Sequence, residues 1–238
     1  MKILTTKEIA NHLVKRSYFF PNHETGIKTF EDPQILNELL NGWPFDDDNR
    51  KELVEYLLTR AFNYYRGVEV YYKGMSFIEA VKQAANAKVP SSSTSCSRNG
   101  TSFAGHQRRV GKKKCKEGAE MLLKHPYWGE LEKAQSFEDI FKVTEQVKRN
   151  VLKLGDLWSY DTAQRIALHK GWYPQDVYLQ SGAYNGIQIL RDKGFIDNAA
   201  IKGKRYISVK AIPEFLSKLE PFLIENILCV GKREGWFK

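Results

Sequence analysis

Between Ala80 and Lys116 the chain has no aspartate and no glutamate. The same window holds Lys82, Lys88, Arg98, Arg108, Arg109, Lys112, Lys113, Lys114 and Lys116. These nine cations match the net charge of the whole protein, +9, so the other 28 basic residues are balanced by the 28 acidic ones. Cysteine is scarce as well: Cys96, Cys115 and Cys229 are odd in number and lack C-x-x-C spacing. That fits a reducing compartment better than a disulfide framework. No apolar run approaches the roughly 18–20 residues that a membrane-spanning helix needs. The N-terminus, Met1 to Glu8, carries a capping signal in place of a secretory apolar core, so a cytoplasmic protein without a membrane partner is expected. His12, His23, His106, His125 and His169 are scattered, and none forms a pair with zinc-site spacing, so no metal is expected. No P-loop is present, no G-x-G-x-x-G follows a clear strand, and no repeat of solenoid length is visible, so no cofactor is expected.

What is present is enough for a folded core. Of 238 residues, 42% are hydrophobic and 13% aromatic, which excludes global disorder. Helix signals dominate. Thr5-x-x-Glu8 predicts a helix over about 6–16, and Asp32-Pro33 opens a short one closed by Gly42. Asp46-Asp47-Asp48 begins a long helix, about 48–66, ended by Gly67. Val68 to Tyr72 is rich in β-formers and reads as a strand or an extended connector. Ser76-x-x-Glu79 starts a helix to about 87, and further helices are predicted at about 116–124, 136–153, 159–170 and 183–193. Arg205 to Val209 alternates as a strand does, with Phe195-Ile196 as a candidate partner. Two short helices follow at 213–219 and 221–228. The predicted fold is mainly α, with minor β structure near the C-terminus. Its organisation is a helical part over 1–90, a basic mobile loop over 91–116 and a helical part over 117–238.

Charge gathered in one segment creates a local field, and a polyanion is its natural partner. Arg98, Arg108, Arg109, Lys112, Lys113, Lys114 and Lys116 are therefore candidate phosphate contacts. Neutralising six or seven phosphates would give a log–log salt slope of about −6 on duplex DNA. Cys115, flanked by lysines, is expected to have a depressed pKa. Gly182-Ala183-Tyr184-Asn185-Gly186 reads as a turn at a helix start, and the Tyr56 to Tyr72 aromatics as mainly core.

Val151 to Ala167 reads as helix, tight turn, helix, the second helix opening with Thr162-Ala163. The stretch resembles the helix-hairpin-helix element of DNA repair glycosylases. That resemblance implies backbone N–H groups at a helix start meeting a DNA phosphate, with Gly155 and Ser159 at the contact. Gly171 to Tyr178 resembles the glycosylase segment that follows the hairpin. The catalytic positions depart from the family. Asp161 stands where bifunctional glycosylases carry lysine, and Tyr178 where the catalytic aspartate would be. The segments Tyr160–Ile166, Val177–Ala183 and Pro213–Cys229 also resemble bacterial proteins of unassigned function, implying a bacterial setting, such as a phage or mobile element.

The leading expectation is a DNA-binding protein that contacts phosphates through the basic loop and the hairpin-like turn, with weak sequence specificity. The alternatives are an enzyme acting on nucleic acid or nucleotides around Asp161, Arg165 and Tyr178, or an adaptor or inhibitor with a protein partner in a bacterial conflict system. Asp161 and Arg165, four apart on one helix, also fit a plain ion pair.

Overall fold

A computed structural model describes residues 36–38, 40–90 and 101–238. The expected helix over 6–16, the Asp32-Pro33 start, Cys96 and Arg98 lie outside the described residues. The architecture is mainly helical with two short antiparallel strand pairs, one of them near the C-terminus.

Asp46 accepts hydrogen bonds from the Asp48 and Asn49 amides and caps helix α1, Asp47–Tyr56. The chain continues through a π-helical turn, Leu57–Ala61, into α2, Phe62–Lys73. Gly67 therefore does not end the helix, and Val68–Tyr72 is neither strand nor connector. The reason is burial: Val68, Glu69 and Tyr72 all face the interior at helical spacing, and packing overrides local β preference. Ser76 caps α3, Phe77–Ala85, through the Glu79 amide, as its spacing predicts. Strands β1, Lys88–Pro90, and β2, Thr101–Phe103, then pair antiparallel with Lys88 opposite Phe103. A 3₁₀ turn, Gly105–Arg109, leads into α4, Lys112–Leu122. Next come α5, Tyr127–Lys133, and α6, Phe137–Asn150, the latter capped by Ser136 on the Asp139 amide.

Helix α7, Asp156–Lys170, is buried on nearly every side, from Trp158 through Leu168. It ends at Gly171 in the left-handed region. Beyond it lie β3, Asp176–Tyr178, α8, Ser181–Asp192, and a short α9, Asn198–Ile201. Strand β4, Tyr206–Ser208, precedes a short α10, Glu214–Ser217, and α11, Pro221–Glu234. β4 pairs with β3, Val177 opposite Ile207, and not with Phe195-Ile196. Phe195 instead donates its amide to the Leu190 carbonyl and closes the end of α8.

The chain divides into two compact units, at 66/67 and at 174/175. One unit joins the described residues up to Arg66 to Gln175–Lys238. Its core is the α8–α11 pair, with Leu190, Leu223, Ile227 and Leu228 fully buried. The other unit, Gly67–Pro174, packs α3, α4 and α6 around α7. Trp158 is fully buried there, and its indole N–H donates to the Ala85 carbonyl at 2.9 Å.

Candidate nucleic-acid interface

The basic segment is not a free loop beyond residue 100. The Ala104 amide donates to the Ala87 carbonyl at 2.8 Å, extending the β1–β2 pairing up to the 3₁₀ turn. Within that turn Gln107 holds both directions of chain. Its amide donates to the Ala104 carbonyl, and its own carbonyl accepts from the Val110 and Gly111 amides at 3.0 and 3.1 Å. Gly111 then takes φ of 82°, a conformation costly for any residue with a side chain, and α4 begins. The expected loop over 112–116 is thus the first turn and a half of a helix.

The Gln107 side chain points inward and is fully buried. Its Nε2 donates to Asp161 Oδ2 at 2.7 Å, and Arg165 Nη2 lies 3.4 Å from the same oxygen. Asp161 and Arg165 do form the i,i+4 pair, but buried in α7, with Arg165 only 3% exposed. Removing one member of a buried pair costs about 3–5 kcal/mol, far more than at a surface. Gln107 Oε1, on the amide that binds Asp161, and Thr162 Oγ1, next to Asp161 in the chain, are buried and have no hydrogen-bond partner among the described residues. Cys115 adjoins the cluster. Burial pushes its thiol up to about 11 and outweighs the opposing pull of Arg165, so the depressed pKa expected from the flanking lysines is not found.

Above this buried cluster the cations face solvent. Arg108, Arg109, Lys112 and Lys113 are exposed, and among the described residues none of them has an ion-pair partner. Lys114 and Lys116 differ: Lys114 pairs with Glu117 at 2.5 Å, and Lys116 reaches Glu120 at 3.9 Å. Lys112, Lys113 and Lys114 occupy the start of α4, which has no acidic residue in its first turn and no side-chain cap. The helix dipole places positive potential at that same end, so lysine charge and dipole reinforce each other.

The connection between α6 and α7 spans 151–155. Lys153 has φ of 73°, Leu154 is buried and Gly155 is the N-cap of α7 without a side-chain hydrogen bond. A Cβ added at Gly155 would meet nothing within 4 Å, so solvent has open access to this backbone. Leu152 projects 78% exposed beside it. Asp156, the first residue of α7, is held by Lys148 at 2.5 Å, and Lys148 also binds Glu145 at 2.8 Å. Ser159 lies one turn inside the helix, fully buried, its hydroxyl 3.1 Å from that of Thr144. α4 packs against this region: a Cβ at Gly118 would sit 2.5 Å from Trp158 Cζ2 and 3.0 Å from Leu154 Cδ1. Residue 107 faces 161 while 118 faces 158 and 154, so the basic segment and α4 run antiparallel to α7.

Tyr178 belongs to the other unit, where it is buried on β3 with its ring 5.4 Å from that of Tyr206. Gly182 and Gly186 are within α8 and face α11, not a phosphate-sized turn. In the same unit, an open cavity of about 210 Å³ is walled by Glu52, Glu55, Glu234 and Arg60 beside Trp236. Three carboxylates against one guanidinium leave its lining net negative, which disfavours a phosphate. Among the described residues no three His, Cys, Asp or Glu side chains gather as metal ligands, and no helix is long and apolar enough to cross a membrane. Gln107 escapes a reading of the sequence for charge or chemistry, because an uncharged amide in a basic run carries no signal. Set against models of known protein families, against curated proteins and against solved structures, the chain matches none.

Proposed function

We propose that this protein binds nucleic acid, duplex DNA first, through the phosphate backbone and with weak sequence specificity. The observation that carries the reading is the exposed group Arg108, Arg109, Lys112 and Lys113, without an acidic partner among the described residues and placed at a helix start. A polyanion that meets these four cations releases its condensed counterions, and the entropy of that release drives binding. Lys114 and Lys116 already have carboxylates nearby and contribute less, so a duplex salt slope of about −4 replaces the −6 expected from the sequence. The α6–α7 turn offers a second contact. Gly155 leaves the α7 N-terminus open, Lys153 stands beside it, and the Lys148 bridge offsets the charge of Asp156. The left-handed Lys153, the buried Leu154 and Gly155 parallel the glycine, apolar residue, glycine order of a helix-hairpin-helix.

The test is fluorescence anisotropy on a labelled duplex across a salt series. The variant R108Q/R109Q/K112Q/K113Q is compared with K202Q/K204Q/K210Q, whose lysines are exposed elsewhere. The first should flatten the slope by three to four units and the second hardly alter it. No binding at low salt, or equal losses in both variants, would overturn the proposal.

A further inference from the structure

We infer that Gln107 and Asp161 are positioning residues, a buried latch that fixes the basic segment on α7 and so sets where its cations stand; the inference rests on the nucleic-acid reading above. Four observations converge on the pair. The Gln107 amide nitrogen meets the Asp161 carboxylate at 2.7 Å with the glutamine fully buried, so the bond is shielded from competing water. Through its backbone, Gln107 also ties the 3₁₀ turn to the start of α4 by accepting from Val110 and Gly111. Arg108 and Arg109 follow it directly, and Lys112 and Lys113 follow those two contacts, so all four exposed cations hang from one anchored residue. Asp161 in turn is held against Arg165 in the most buried helix of its unit.

The latch also resolves an electrostatic problem. Four like charges and a helix start repel one another, and the segment alone would spread them apart. A hydrogen bond from a neutral amide to a buried carboxylate holds the segment without placing a carboxylate among the surface cations. The cations are therefore fixed while their field stays uncancelled, which is what phosphate recognition needs.

The pair can be swapped. Gln107→Glu sets two carboxylates against each other. Adding Asp161→Asn restores one carboxylate, one amide and a counter-ion for Arg165. The first measurement needs no DNA: limited trypsin cleavage after Arg108, Arg109, Lys112 and Lys113, against cleavage after Lys202 and Lys204 as internal reference. Q107E should raise cleavage at the four sites by about tenfold or more, the scale of a lost charge-assisted buried bond. The double variant should return to within about twofold of the wild type. Gln107→Met, which keeps length and loses the amide, serves if Q107E does not fold. In the second measurement, duplex affinity at fixed salt should fall and recover in the same order. Unchanged cleavage in Q107E and Gln107→Met, or a double variant worse than either single one, would overturn the latch. Wild-type protein without duplex affinity would sink the nucleic-acid reading alone, because the cleavage series still decides whether the pair positions the segment.

Discussion

The contact between α8 and α11 gives a sharp prediction, because main chain meets main chain there. A methyl placed on Gly186 would lie 2.1 Å from the Leu228 carbonyl oxygen, 2.7 Å from its carbon and 2.9 Å from its Cα. No rotamer change relieves a backbone clash, so Gly186→Ala must push the helices apart by about 1 Å. A gap of that size forfeits a quarter to a half of the dispersion between facing atoms. The atoms at stake are the fully buried Ile187, Leu190, Leu223, Ile227 and Leu228. Overpacking typically costs about 1–3 kcal/mol and more where the backbone cannot move, while alanine returns about 1 kcal/mol of helix propensity. The net loss expected is about 2–3 kcal/mol. Because two compact units make one global transition a poor gauge, native-state hydrogen exchange of α8 and α11 amides is the better assay. Their exchange should accelerate by about 30- to 100-fold. Gly182→Ala is the internal control: its nearest neighbour is the Cys229 side chain, at 2.2 Å to Sγ, which can turn away, so its cost should be less than half as large. Wild-type exchange in G186A, or a larger effect from G182A, would refute the reasoning.

Other consequences can be checked by simpler means. With its thiol raised to about 11, Cys115 is ionised to only about one part in a thousand at pH 8. A variant keeping Cys115 as its sole cysteine should react with a disulfide reagent only on unfolding; fast native reaction would contradict the burial. Glu69 is fully buried with Lys73 at 2.5 Å and the Tyr173 hydroxyl at 3.2 Å, yet burial still raises its carboxyl above the usual 4.5. The folded protein then holds that proton more tightly than the unfolded chain, so this group's contribution to stability declines as pH rises from about 4.5 through the folded-state pKa. Denaturation of wild type and Glu69→Gln across this range should show their difference shifting in favour of the variant. A constant difference would be the contrary result.

Capping was the most legible part of the sequence. Ser76 and Ser136 each announce a helix through a side-chain oxygen that accepts from the amide three residues on, and both helices begin there. Such signals are local, and local chemistry decides them. Signals failed where tertiary contact outweighs local preference. Gly67 with Val68 and Val70 reads as a break and a strand, but the burial of Val68, Glu69 and Tyr72 carries the helix on to Lys73. Three lysines at the positive end of a dipole argue against a helix start at 112, and it forms because Gly111 turns the chain and Cys115, Gly118, Ala119 and Leu122 are buried. The candidate site was half visible. Its cations stand out as charge, whereas the amide that anchors them differs from a surface glutamine only by long-range contact. Asp161 and Arg165 could be paired from their spacing, but their burial could not, since α7 is enclosed on nearly all sides and shows no polar face.

The π-helical turn at Leu57–Ala61 settles which side of its helix two tyrosines share. Tyr56 bonds Asn226 through its hydroxyl, and Tyr65 stacks edge-on against Phe222 at 4.7 Å, so both meet α11. Nine residues of ordinary α-helix separate side chains by about 180° around the axis, which would aim these two in opposite directions. The wider turn absorbs about one extra residue and narrows that angle to about 80°. The chain is therefore one residue longer here than a straight helix would need. Losing a single codon between 57 and 61 would leave eight residues of ordinary helix and the same angle of about 80°, so Tyr65 would still meet Phe222, whereas the same loss inside a regular helix swings every later side chain by about 100°.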